Sequence, residues 1–98
     1  MPEYEVSQQA RRELRGIVQF SFERFGRYQA EAYLAGFEKT FGLLADFPRM
    51  GRASEDLGSG MRRFRFQSHY ILYSALDDHV VIRSVIHVRR NLRLDLIE

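Results

Sequence analysis

The sequence has no cysteine and no tryptophan, only two prolines, and no long apolar run. Without cysteine there is no disulfide framework, no thiol nucleophile and no thiolate metal site, and a reducing cytoplasm fits such a chain. No apolar stretch approaches the roughly 18–20 residues that span a bilayer. Met1-Pro2-Glu3-Tyr4 does not open like a secretion signal, so a cytoplasmic protein without a membrane partner is expected. With 45% apolar and 29% charged residues the chain is neither collagen-like nor disordered. Its 98 residues make a single domain, 1–98, with one modest core burying about 60–65% of the surface an unfolded chain exposes.

Lysine is also nearly missing: fourteen of the fifteen basic residues are arginine, and Lys39 is the exception. The net charge of +2 hides an uneven distribution. Residues 1–49 carry seven basic and seven acidic side chains, whereas Arg62, Arg63, Arg65, Arg83, Arg89, Arg90 and Arg93 face only Asp77 and Asp78 between Met61 and Arg93. Arginine forks bind carboxylates and phosphates bidentately, so this section fits an acidic partner or nucleic acid, or else an ordinary solvated surface.

Tyr4-Glu5-Val6 reads as a short strand and Ser7 as a helix N-cap. Ala10, Leu14, Ile17, Val18 and Phe25 form one helical stripe over Gln8 to Phe25, closed by Gly26. Ala30, Tyr33, Leu34, Phe37, Phe41 and Leu44 form a second stripe over Arg27 to Asp46, which predicts an antiparallel helical hairpin. Phe47-Pro48-Arg49-Met50-Gly51-Arg52 stops the helix, and a loop or irregular turn runs to Gly60. Met61–Phe66, His69–Leu76 and His79–Val88 are rich in β-branched and aromatic residues and read as three strands with tight links. The expected fold is α+β, in the order β-α-α-β-β-β: an antiparallel sheet with a helical hairpin on one face.

Strict alternation would put Val80, Ile82, Ile86 and Val88 toward the helices and Val81, Arg83, Val85, His87 and Arg89 on the opposite face. By the same rule Phe64 and Phe66 share one face, and Arg63 and Arg65 the other. The open face would then gather Arg63, Arg65, Arg83, His87 and Arg89. His69, His79 and His87 lack metal-ligand spacing, so no metal is expected. Gly58-Ser59-Gly60 precedes a strand and is not a phosphate cradle, and no nucleophile elbow supports a serine triad. Two readings of the arginine face stay open. His87 with Tyr73 and arginines can cleave RNA through its 2′-OH, or the same arginines can hold an acidic protein segment.

An ordered set of motifs resembles the ParE-type toxins of the RelE/ParE toxin–antitoxin superfamily. It comprises Tyr4-x-Val6-Ser7 before a helix with Ala10 and Leu14, Phe25-Gly26, Phe47-Pro48-Arg49-Met50-Gly51-Arg52 and Gly60-Met61-Arg62-Arg63-Phe64. Ser68-His69-Tyr70-Ile71-Leu72-Tyr73 and Val85-Ile86-His87-x-Arg89-Arg90 complete it. The resemblance implies a toxin neutralised by a ParD-like antitoxin in a hetero-oligomer, inhibiting DNA gyrase by protein contact without cofactor, metal or direct nucleic-acid binding. The alternatives are a RelE-like ribosome-dependent mRNA endonuclease, with Arg63, Arg65, Arg83 and His87 as its site, and a non-toxic antitoxin-binding module. Val88 stands where some nucleases have Tyr and ParE-like toxins commonly have Gly, and no lysine lies in the sheet. These departures favour the branch without catalytic residues. Antitoxin contacts are expected at Arg63, Arg65, Val81, Arg83 and Val85, and target contacts at Arg89, Arg90 and Arg93. Leu92, Leu96 and Ile97 are read as docking a short terminal helix on the core.

Overall fold

Ser7 is where the chain turns from strand to helix. In the computed structural model, which describes residues 3–90, strand β1 (Glu3–Val6) ends there and helix α1 (Gln8–Phe25) begins. The Ser7 hydroxyl accepts the Ala10 N–H at 3.1 Å, satisfying one orphan donor of the first turn. It also donates to the Arg83 carbonyl at 2.9 Å, tying the helix start to the last strand. Gly26, at φ 89°, sits where a side chain would be strained. Its N–H bonds the Phe22 carbonyl at 2.9 Å and its carbonyl accepts from Ala30 at 3.1 Å, so one residue joins α1 to α2 (Arg27–Asp46).

The chain continues through β2 (Arg52–Ala53), a 3₁₀ turn (Glu55–Leu57), β3 (Met61–Phe66), β4 (His69–Ala75) and β5 (His79–His87). The five strands lie in the order β1-β5-β4-β3-β2. Both helices keep their expected limits, and the strand ends move by a residue at most. The sheet, however, is mixed and not wholly antiparallel, because β1 pairs in parallel with β5, Glu3 opposite His79 through Val6 opposite Ile82. The cause is the helical hairpin. It returns the chain to the end of the sheet where β1 began, as the Tyr4–Phe41 ring contact at 5.6 Å marks. Two hairpin turns later β5 therefore runs in the direction of β1.

One sheet face packs on the hairpin. Phe37, Phe41 and Leu44 of α2 and Ala10 of α1 meet Ile71, Tyr73, Val80, Ile82 and Val85 in one buried cluster, with Phe64 and Phe66 against it. Phe37 is the centre of an aromatic group, 4.9 Å from the Tyr33 ring and 4.8 Å from the Phe66 ring. The opposite face carries a smaller cluster of Leu57, Met61, Leu72 and Ile86, with Tyr70 against it.

Strict alternation fails in β5. Leu72 pairs with Ser84 but Tyr73 with Ile82, so Arg83 is an extra residue in the strand, a β-bulge. A single added residue exchanges the faces of everything beyond it. Val80 and Ile82 face the helices as expected, but Val85 and His87 join them, and Ile86 moves to the other face. The predicted grouping of Val85 and His87 with Arg63, Arg65 and Arg83 is therefore corrected.

Candidate functional site

Two surfaces emerge where one was expected. The first is the arginine face. Arg63 pairs with Leu72 and lies 5.5 Å over the Tyr70 ring, while Arg65 is exposed and donates to the Gln67 carbonyl at 2.9 Å. Arg83 is half-buried and donates to Ser74 Oγ at 3.1 Å, and Ser74 in turn donates to Met61 Sδ at 3.2 Å. Val81 is paired opposite Ser74 and is only 7% exposed, so it supports this face more than it offers a contact. Arg89 and Arg90 lie in the turn after β5, both exposed, and Arg93 lies outside the described residues together with Leu92, Leu96 and Ile97.

The second surface is a groove of about 700 Å³ between the tip of the helical hairpin and the ends of β4 and β5. Ile17, Phe20 and Phe25 line its apolar end; Tyr33, His69, His87 and Arg90 line its polar end. Phe20 and Phe25 remain 59% and 62% exposed, an unusual amount of aromatic surface for two neighbours on one rim. His69 and His87 face each other across β4 and β5 with ring centroids 5.4 Å apart. The Tyr33 hydroxyl lies 2.9 Å from His69 Nδ1. Burial, and secondarily the His87 charge, hold the His69 imidazole below its ordinary pKa. Burial lifts the Tyr33 phenol, against a smaller opposing effect of its bond with the Ser68 backbone.

Glu13 of α1 reaches under β5 beside this groove. Its carboxylate accepts from Ser84 Oγ at 2.9 Å and from the Val85 N–H at 3.0 Å, on the edge that β1 no longer covers past Ile82. The groove was not foreseen, because its histidines were placed on a different face or read as isolated. One signal was present: Glu13 stands between Ala10 and Ile17 on the apolar stripe of α1, where a carboxylate needs a buried partner. Tyr73, by contrast, is no neighbour of His87. It is fully buried, donates to the Pro48 carbonyl at 2.7 Å and accepts from the Gly51 N–H at 2.9 Å. Among the described residues no three His, Asp or Glu side chains gather as a metal site.

A helical hairpin laid on one face of a mixed sheet, with an arginine face behind it, defines a small RelE/ParE-like toxin fold. Residues 4–92 match the family of ParE toxins of type II toxin–antitoxin systems, parDE, and the chain belongs to that family. It is 33% identical over 96 residues to Toxin ParE1 of Caulobacter vibrioides, covering 98% of this chain and 99% of that one. Toxin ParE3 of the same organism is 36% identical over 74 residues, covering 76% and 74%, and Toxin ParE1 of Mycobacterium tuberculosis is 29% identical over 94 residues, covering 95% and 96%. The fold matches a solved structure described as the chromosomal ParDE TA system from P. aeruginosa, with a TM-score of 0.76 and 13% identity over 91% of this chain and 98% of that one.

Proposed function

We propose that this toxin is held inactive by a ParD-like antitoxin and, when released, inhibits DNA gyrase by protein–protein contact in the cytoplasm. The antitoxin lies across the arginine face and fills the aromatic groove, an apolar and basic surface suited to an acidic amphipathic segment that orders on binding. Arg63, Arg65 and Arg83 meet its acidic residues, and Val85 lies on the groove side of the sheet. Arg89, Arg90 and Arg93 contact the target. The observation that carries the non-enzymatic reading is the bulge at Arg83. It separates His87 from Arg63 and Arg65, so the constellation proposed for an endonuclease is divided between two faces of the sheet. No helix among the described residues is long and apolar enough to cross a membrane.

The test is a gyrase supercoiling assay run beside ribosome-dependent mRNA cleavage, each with and without the antitoxin. Inhibited supercoiling with intact mRNA, relieved by the antitoxin, is the expected result. Cleaved mRNA with unaffected gyrase would replace this reading with the endonuclease one.

A further inference from the structure

The histidine pair in the groove has a hydrogen-bond arrangement that the neutralisation reading does not use. The Tyr33 oxygen accepts from the Ser68 backbone, so its own proton is free to go to His69 Nδ1, 2.9 Å away. That leaves the His69 proton on Nε2. His87 Nδ1 accepts the Arg89 N–H at 3.1 Å, which puts the His87 proton on Nε2 as well. Two imidazoles that line one groove thus each keep an N–H donor, with Arg90 in the same lining. Both Nδ1 atoms are engaged, so neither ring is set up to ligate a cation through Nε2, which requires the proton on Nδ1. The imidazole N–H groups and Arg90 are donors, one permanently charged, and the one carboxylate of the lining, Glu13, is already held by Ser84 and the Val85 N–H, so this end of the groove fits an anion.

We infer that the polar end of the groove is a carboxylate-binding pocket, in which an acidic side chain of the antitoxin segment is received by His69, His87 and Arg90, with one proton taken up at His69. The source of the carboxylate rests on the neutralisation reading; the chemistry of the pocket does not. The apolar end, at Ile17, Phe20 and Phe25, commits the occupant to an amphipathic segment whose acidic residue lies beside apolar ones.

Proton uptake follows from the surroundings. The groups facing the pair are Tyr33 from α2, Glu13 from α1 and Arg90 after β5. Glu13 is engaged with Ser84 and Val85, and burial, with the His87 charge second, holds the His69 imidazole low. A bound carboxylate favours the charged imidazole and raises the pKa of His69, the added proton going to its Nδ1 as the Tyr33 hydroxyl turns to accept it. Affinity therefore climbs as pH falls through the imidazole pKa of the complex and levels off below that of the free protein, by at most about tenfold per pH unit for each proton taken up.

The experiment titrates the full-length protein with 3-phenylpropionate and with its neutral analogue 3-phenylpropanamide, following the histidine rings by NMR. The carboxylate should bind more tightly than the amide, raise the pKa of His69, and gain its advantage as pH falls. His87→Gln and Arg90→Gln, both at exposed positions, should each remove most of that preference while the circular dichroism stays unchanged. Equal binding of the amide, or an unmoved His69 pKa, would overturn the inference. Calorimetry with the antitoxin in two buffers of different ionisation enthalpy completes the test. Tight binding with no proton uptake overturns the pocket but leaves neutralisation standing, whereas failure to bind at all sinks neutralisation and leaves the phenylpropionate result to decide the pocket.

Discussion

Tyr73 shows how much one hydroxyl can organise. Its oxygen holds both the Pro48 carbonyl and the Gly51 N–H, while Arg62 donates to the Gly51 carbonyl at 2.7 Å, so the turn after α2 is fastened to the sheet at three points. Replacing Tyr73 with Phe leaves the buried Gly51 N–H without its partner and should cost about 1–3 kcal/mol, read as a lower urea midpoint at unchanged m-value. Gly51→Ala acts on the same contact from the other side. A Cβ there would overlap the Tyr73 ring and hydroxyl, and the ring, packed in the core, has nowhere to retreat. Overpacking of this kind costs about 1–3 kcal/mol. The double variant should lose less than the sum, since Phe removes the hydroxyl part of the overlap and the bond to the Gly51 N–H can be lost only once, and strict additivity would show that the two residues act separately. On the arginine face, the paired reversal Arg63→Glu with Arg65→Glu should speed antitoxin dissociation at least severalfold in surface plasmon resonance. An unchanged off-rate would remove these two side chains from the interface.

At the scale of elements, the bulge in β5 decides which residues meet. Glu13 holds it in place, because its carboxylate is the acceptor for the Val85 N–H and the Ser84 hydroxyl just beyond the extra residue. Glu13→Ala should destabilise the protein by about 1–3 kcal/mol through unpaired buried donors, with faster amide exchange at Val85 and His87 than at Tyr73. Exchange lost evenly along β5 would mean that Glu13 does not support the bulge locally. The helices were legible because their stripes, the Ser7 cap and the Gly26 break are all local signals. The strands of the meander were legible from β-branched and aromatic runs between tight turns. The direction of β1 was not, since parallel pairing with β5 depends on where the hairpin returns the chain. Nor was the bulge, because nothing in Ile82-Arg83-Ser84 differs from an ordinary strand. That one residue accounts for the misplaced faces of Val85 and His87, and so for the missed groove.

For the whole molecule, these same groups set a window of pH in which the fold is firmest. His69 has a folded pKa below its unfolded value of about 6.5, held down by burial and then by His87. Between those two values the unfolded chain binds more protons than the folded one, so stability falls as pH drops. The His69 contribution is complete above the unfolded pKa and lost as pH descends to the folded one. His79 works in the opposite sense, its pKa raised chiefly by the Asp78 carboxylate 2.7 Å away, but the pair is exposed and screened by salt. Tyr33 and Tyr73 bound the other side. Burial raises both phenols, so their neutral forms stabilise the fold fully below the unfolded pKa of about 10, and that contribution is lost as pH rises toward the folded values. Urea midpoints measured at high salt should therefore hold a plateau through the neutral and mildly alkaline range and decline on both sides of it. His69→Gln should flatten the acid limb and Tyr73→Phe part of the alkaline one, each lowering the plateau without moving the opposite limb. An acid limb that persists unchanged in His69→Gln would show that another group, not the histidine under Tyr33, carries the acid sensitivity.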